Sequence, residues 1–428
     1  MEQQKVKFAF AGLGNRGSVY TACVERYGDD MEIAAIADPD EEKLARARDR
    51  YCVPEDKCFA TAEEMLQQEK LADVFCIATL DRQHYKQAIA AMRKGYHLLL
   101  EKPISPDAAE CKEIAKVAAE ENRQVVVCHV LRYTPFYSKL KELLDSGVIG
   151  DVVAIQALEQ VCYWHQAHSF VRGNWRNSNT TSPMILQKSC HDMDILLWLA
   201  GKSCKRVTSY GSLTHFLHEN KPEGAASRCT EDCKVKDTCP FNAVKFYVGH
   251  VEKGELGWPM DVVLPDATPE TMLETLKTSP YGRCVYDCDN NVVDHQVVMM
   301  ELEDGITVDF TMCGMTADGG RRVHIMGTKG DIDAGMEENY IIIKEFGKEP
   351  VHIDVRDLAE DFSGHGGGDV RMVKDLIDLL LGRKEEKNAL TSVDKSVESH
   401  YVALAAEQSR CNNGRTVDMA QFVAELKE

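Results

Sequence analysis

Val6-Lys7-Phe8-Ala9-Phe10-Ala11-Gly12-Leu13-Gly14-Asn15-Arg16-Gly17 opens the chain as an apolar run followed by a Gly-x-Gly-x-x-Gly turn. Val6, Phe8 and Phe10 read as a buried strand. Gly12 and Gly14 let the backbone turn and approach a pyrophosphate, and Gly17 lets the following helix pack closely on the sheet. The phosphates then lie at that helix's positive N-terminus, beside Asn15 and Arg16. A second apolar run, Ile33 to Ala37, ends at Asp38. A carboxylate there accepts hydrogen bonds from the adenosine ribose hydroxyls and repels a 2′-phosphate, so NAD is favoured over NADP. Arg16 is a cation able to offset part of that repulsion. The glycine spacing alone also fits a turn in other α/β proteins; the strand before it, the helix after it and Asp38 select the dinucleotide.

Downstream the chain keeps alternating: a charged helix Glu41 to Arg50, a strand Ala72 to Ala78, a helix around His84 to Lys94, a strand Tyr96 to Leu100, a helix Asp107 to Glu121 and a strand Gln124 to Cys128. This is the rhythm of an α/β, doubly wound parallel sheet, here over residues 1–130. From about Asp151 longer alternating strands take over, in Val292 to Leu302, Gly305 to Met312, Arg322 to Met326 and Tyr340 to Lys344. They predict a second α/β unit, 131–428, with a large open, mainly antiparallel sheet. Residues 217–290, rich in Gly, Pro, Cys and charge, read as an insertion or elaborated loop. Helical patterns at Val370 to Leu381 and Val393 to Arg410 follow.

A chain of 428 residues is long for one core, and 44% hydrophobic residues are ample for two. The net charge of -19 argues against a nucleic-acid surface, which needs a positive field. No apolar run approaches the roughly twenty residues that span a bilayer. An acidic cytoplasmic enzyme is expected. Most of the sixteen cysteines stand singly at apolar positions such as Cys76 and Cys128, as free thiols do in reducing compartments.

Glu101-Lys102-Pro103 follows the strand Tyr96 to Leu100, at the carboxyl end of the sheet where such folds bind ligands. His191-Asp192-Met193-Asp194 leads into Ile195-Leu196-Leu197-Trp198-Leu199-Ala200-Gly201, and His324-Ile325-Met326-Gly327-Thr328-Lys329-Gly330 comes late in the chain. With the glycine fingerprint, these motifs resemble the Gfo/Idh/MocA family of sugar oxidoreductases over nearly the whole length. The resemblance implies an N-terminal Rossmann domain and a C-terminal α/β domain whose open sheet mediates homodimers or homotetramers. It also implies bound NAD, a small carbohydrate substrate and hydride exchange between a sugar carbon and the nicotinamide. It assigns contact with the reacting hydroxyl to Lys102 and acid/base work to His191; Thr79, His84, Glu101 and Lys102 are further candidate cofactor contacts.

Oxidising a secondary alcohol requires a base of near-neutral pKa and a group that stabilises oxyanion character. His191 suits the first task and Lys102 the second; the plainer readings are a core or capping histidine and a solvated strand-end lysine. Four residues before His191, where many family members carry Asp, stands Gln187, with Lys188 beside it. An amide supplies no charge to stabilise an imidazolium, and a nearby ammonium depresses a histidine pKa. Lys188 is itself a candidate for substrate contact or proton transfer. Tyr163, Trp164, His165, His168, Arg172, Trp175 and Arg176 set aromatic faces beside hydrogen-bond donors, the combination that holds a polyhydroxylated ring. Asp194 and His365 complete the candidate substrate set.

His365 lies in Gly364-His365-Gly366-Gly367-Gly368-Asp369, ahead of a helix. This element resembles that of relatives that hydrolyse glycosides with a recycled NAD: oxidation at C3 acidifies the C2 proton, the aglycone is eliminated, water adds and the keto sugar is reduced again. Three functions therefore stand at this point: an NAD-dependent dehydrogenase of a sugar, cyclitol or glycoside, a redox-assisted glycosidase, and a non-catalytic sugar or dinucleotide sensor. Cys229, Cys233 and Cys239 in the insertion, joined by Cys284 or Cys288, predict a structural zinc ion tying down a segment short of core. Cys284 beside Arg283 suits an anionic centre better than Cys288 between Asp287 and Asp289; free thiols or an iron-sulfur cluster are the alternatives.

Overall fold

The computed structural model describes residues 5–385 and 387–426. Strands β1 (Val6–Ala11), β2 (Met31–Ala37), β3 (Cys58–Phe59), β4 (Val74–Ile77), β5 (His97–Leu100) and β6 (Val125–Val127) form a six-stranded sheet in the order β3-β2-β1-β4-β5-β6. Every pairing in it is parallel. Helices cover both faces, which is why β4 and β6 are buried at every residue and read as unbroken apolar runs. Strand order reverses between β1 and β4, so the carboxyl ends of these two strands border the crevice where ligands of such sheets bind.

The second sheet has nine strands, β7 (Val152–Gln160), β8 (Cys204–Ser212), β9 (His295–Leu302), β10 (Thr307–Cys313), β11 (Gly320–Gly327), β12 (Gly330–Gly335), β13 (Tyr340–Glu345), β14 (Val351–Asp354) and β15 (Val417–Asp418). Their order is β14-β13-β12-β11-β7-β10-β9-β8-β15. Only β7 and β10 pair in parallel. Burial alternates as expected of a sheet covered on one side: Val298, Met300 and Phe310 point into the core while Val297 and Met299 face outward. Alternation exposes β9, β10, β11 and β13 in the sequence, but not β8 or β12. The first carries charged and hydroxyl side chains, and the second is bounded by glycines and interrupted by aspartates.

Residues 217–290 are more than the expected loop. They contain the helices Val244–Val248, Gly249–Glu252, Met260–Val263 and Pro269–Thr278 around a small core of Tyr247, Met260, Met272 and Leu276. Three of the four are only four or five residues long, too short to display a helical period, so the composition of the connections dominates the sequence. The helix Gly368–Leu380 returns to the parallel sheet, where Met372, Val373, Leu376 and Ile377 share one core with Phe8, Phe10 and Val74. It brings the glycine run before it onto the first turn of the chain. Among the described residues no helix is long and apolar enough to cross a membrane.

Candidate active site

The turn after β1 is built around its glycines. Gly12 has φ +88°, and a Cβ there would lie 2.5 Å from the Ala78 carbonyl oxygen; a Cβ on Gly17 would lie 1.8 Å from the Gly12 carbonyl oxygen. These two glycines are therefore required by packing. Gly14 is different, since a Cβ on it would meet nothing within 4 Å. That open space over the turn, with exposed Asn15 beside it, is a cradle a dinucleotide pyrophosphate fits. Asp38 ends β2 at the same place, its carboxylate accepting the Leu13 amide (2.6 Å) and the Asp40 amide (2.9 Å). The donor set fits a dinucleotide with free ribose hydroxyls.

Arg16 departs from its expected place beside the cofactor ribose. Its guanidinium donates to Glu101 (2.8 Å), to the Tyr20 hydroxyl (2.6 Å) and to Asp369, with the His365 ring nitrogen 3.3 Å away. Already held by two carboxylates, it does not serve as a 2′-phosphate cation. Although burial favours the neutral acids, Arg16 holds both Glu101 and Asp369 below the usual carboxylate range, with Lys102 assisting at Glu101 and His365 at Asp369. The result is a strap: the glycine run ending at Asp369 is fastened across the first helical turn and the Glu-Lys-Pro turn together. Asp369 and Tyr20 are parts of it that the sequence reading missed.

At the end of β5, Lys102 reaches across and donates to the Gln187 carbonyl (3.0 Å). Gln187 closes the short turn Met184–Gln187, from which the helix Cys190–Ala200 starts and carries His191. The Gln187 amide points into its own loop, donating to Thr181 and Ser182. Burial, then Lys102, His129 and His365, hold His191 well below the ordinary histidine value, so its ring is neutral at pH 7. The His365 ring lies 6.2 Å from it, centroid to centroid, hydrogen-bonded to Asp369 (3.1 Å). Lys102, His191 and His365 thus come together at one mouth.

Behind them runs a chain of alternating charge. Lys188 pairs with Glu159 (2.9 Å), Glu159 with Arg321 (2.9 Å), and Arg321 with Asp192 (2.8 Å). Burial favours the neutral form of both acids. Two cations keep Glu159 charged, whereas Asp192, with less compensation, is pushed up to about 6. Glu159 and Arg321 were absent from the expected site; their signal is a charged residue at an inward position of a core strand. His165 is lowered by burial and then by Lys188, His168 and Arg321, and its ring packs against Trp164, Phe170 and Trp258.

Residues 6–129 match the sequence profile of an oxidoreductase family with an NAD-binding Rossmann fold, and residues 141–419 match the C-terminal alpha/beta domain of the same family. The chain belongs to the Gfo/Idh/MocA oxidoreductases. A putative oxidoreductase YteT of Bacillus subtilis is 24% identical over 393 residues, covering 86% of this chain and 87% of that one. An inositol 2-dehydrogenase of Leifsonia xyli is 27% identical over 47% of this chain and 56% of its own. Among solved structures, the WlbA dehydrogenase of Bordetella pertussis, in complex with NADH and UDP-GlcNAcA, has the same fold, with a TM-score of 0.70 at 18% identity over 98% of this chain and 99% of that chain.

Several residues expected to face ligand in this Gfo/Idh/MocA chain hold the frame instead. Arg172 is buried and donates to the carbonyls of Arg283 and Phe241, both at 2.7 Å. Arg176 pairs with Asp289 (2.7 Å), and Asp194 accepts both arms of Arg132 (2.7 and 2.6 Å). His84 lies between the Pro103 and Thr79 carbonyls (2.8 and 3.1 Å), joining the two turns that border the cradle; the Thr79 hydroxyl donates to Gln87. His168 bonds the Tyr247 hydroxyl (2.7 Å) and stacks on Tyr281. Tyr163 packs toward Phe241, Trp164 toward Phe246 and Trp258, and Trp175 against the main core. Cys229, Cys233, Cys239 and Cys284 do line one cavity with Arg172. Yet among the described residues no group of three or more His, Cys, Asp or Glu is arranged to hold a metal ion, so the expected zinc centre finds no support. Arg172 instead lies against Cys229 (3.6 Å), and burial pushes Cys239 and Cys284 toward the neutral thiol.

Proposed function

We propose that this chain is an NAD-dependent oxidoreductase acting on a secondary hydroxyl of a sugar, cyclitol or glycoside. The observation that carries the reading is the convergence of Lys102 and neutral His191 at the carboxyl end of the parallel sheet that bears the Gly14 cradle. Gly12, Gly14, Asn15, Gly17 and Asp38 would hold the dinucleotide, which when bound supplies the hydride acceptor. His191, unprotonated at neutral pH, takes the hydroxyl proton of the substrate. Lys102 stabilises the negative charge that develops on that oxygen. Relatives that act on inositol support a polyhydroxylated ring as substrate.

The test is to incubate the protein with NAD and a panel of free sugars, cyclitols and chromogenic glycosides, recording NADH absorbance and aglycone release together. NADH without aglycone supports the dehydrogenase. Aglycone without accumulating NADH supports the second reading, redox-assisted glycoside cleavage, which the second histidine favours: His365, backed by Asp369, gives the site another proton-transfer group next to His191. Silence in both channels overturns both. We also propose a homodimer or homotetramer through the outer face of the nine-stranded sheet, where Tyr210, Val297 and Met299 are exposed on adjacent strands. Light scattering that finds only monomer contradicts this.

A further inference from the structure

His129, which follows β6, is fully buried, and among the described residues neither of its ring nitrogens has a hydrogen-bond partner; the Nδ1 of His191 is likewise buried and unpartnered there. Three unpaired buried polar atoms would each cost about 1–3 kcal/mol if nothing joined them. They are neighbours. The two rings stand edge to face with centroids 5.8 Å apart. His129 Nε2 is also 3.8 Å from the Asp194 Oδ1. His191 and Asp194 are three residues apart on one helix and so share a face, which they turn toward His129.

The remaining neighbours exclude other arrangements. His400, whose ring is 5.4 Å from that of His129, accepts the Ile104 amide at Nε2 (2.9 Å) and lies against the Ser396 carbonyl at Nδ1 (3.2 Å), so both of its nitrogens are taken. Burial, then the cations Arg132 and Lys102, keep the His129 ring neutral, while the carboxylates facing it are Glu101 and Asp194. A neutral imidazole has one nitrogen that accepts and one that donates. His191 lacks any carboxylate of its own, because position 187 is an amide turned into its loop.

We propose that His129 is a positioning residue for His191, linking it to Asp194 in a His–His–Asp series. One nitrogen of His129 accepts the Nδ1 hydrogen of His191, and the other donates toward Asp194. The inference rests on the reading of His191 as the acid/base group. In the oxidation direction the substrate hydroxyl proton moves to Nε2 of His191, the Nδ1 hydrogen stays on His191, and the positive charge so formed is stabilised through His129 by the carboxylate. The proton returns from Nε2 in the reverse reaction. The series thus supplies from a buried position the negative charge that position 187 does not.

The proposal fixes the tautomer of resting His191 as Nδ1–H, which 15N spectra of the full-length protein labelled at histidine report directly, with His191→Gln identifying the resonance. The expected result is the Nδ1–H form in the wild-type protein, its loss in His129→Leu, and its retention in His129→Gln, whose amide can still accept and donate. An Nε2–H tautomer in the wild-type protein overturns the proposal even if both variants fail to fold, as does a His129→Leu spectrum in which His191 is unchanged. The underlying reading fails separately: a His191→Ala protein that still forms NADH at the wild-type rate with the sugar or cyclitol panel removes His191 from the chemistry, whatever its tautomer.

Discussion

Lys102 Nζ lies 3.0 Å from the backbone carbonyl of Gln187. One side chain thereby ties the end of β5 in the parallel sheet to the turn that launches the His191 helix. Because the acceptor is a single backbone carbonyl, this bond uses one of the three hydrogens of an ammonium and leaves two for a ligand.

Lys102→Met is expected to lower turnover by about 10²–10³-fold, the range found when a donor that stabilises developing oxyanion charge is removed. The melting temperature should move little, since the bond lost is half-exposed and to a neutral partner. Steady-state kinetics on the substrate found in the panel, with calorimetry alongside, checks both halves. Turnover within twofold of wild type would take Lys102 out of the reaction.

Lys188 and Glu159 separate a site role from a structural one. Lys188→Met leaves Glu159 paired with Arg321, so the stability loss should be small, about 1 kcal/mol. Glu159→Ala leaves Lys188 and Arg321 facing each other without the shared carboxylate, and is expected to lose about 3–5 kcal/mol. Denaturant melts of the two variants measure the difference. Unchanged turnover in Lys188→Met would confine Lys188 to this charge chain.

The parts of this protein legible in its sequence are those fixed by local pattern. The glycine fingerprint follows its strand directly and Lys102 and His191 sit in contiguous motifs, although the crowding that demands glycine at position 12 comes from Ala78 on the neighbouring strand end. Arg172 and Asp194 differ from expectation because a polar side chain in a motif does not reveal whether it faces ligand or a protein partner across the fold, here backbone carbonyls for Arg172 and the Arg132 guanidinium for Asp194. Glu159, Arg321 and His129 were not singled out, since their meaning lies in partners more than a hundred residues away in two cases and on another element in the third. Three short helices of the insertion escaped for a related reason: one turn displays no period.

Acid should destabilise the fold from just above pH 6 downward. Burial lowers His400 and His168 to about 3 and His97 to about 4, against an ordinary value of 6.5. Folded values below the unfolded one mean that the unfolded chain binds more protons. Stability is therefore complete above 6.5 and is lost as the pH falls from there toward 4 and then 3, by about 1.4 kcal/mol per pH unit for each such ring. Calorimetry from pH 8 to pH 5 should show a melting temperature level at first and then falling. His400→Gln, which can still accept the Ile104 amide, should flatten the fall. A melting temperature that rises between pH 7 and pH 5 would contradict the assignment of neutral buried histidines.

Gly14 and Gly17 are expected to respond to the same substitution in opposite ways. At Gly17 a methyl group would come within 1.8 Å of the Gly12 carbonyl oxygen, a backbone atom in a turn that cannot yield, so Gly17→Ala should fail to fold or melt far below the wild-type protein. Gly14 has φ −67°, which alanine adopts freely, and its Cβ would point into open space. Gly14→Ala should therefore fold with a stability within about 0.5 kcal/mol of wild type, as substitutions without core or cap effects do. Its methyl group nevertheless enters the space over the turn where the pyrophosphate approaches the backbone. A fluorescence titration with NADH should show affinity weakened by at least about tenfold, equivalent to roughly 1.4 kcal/mol. Wild-type affinity in a stable Gly14→Ala protein would mean that the dinucleotide does not lie over this turn, and the proposed cofactor site would have to be given up.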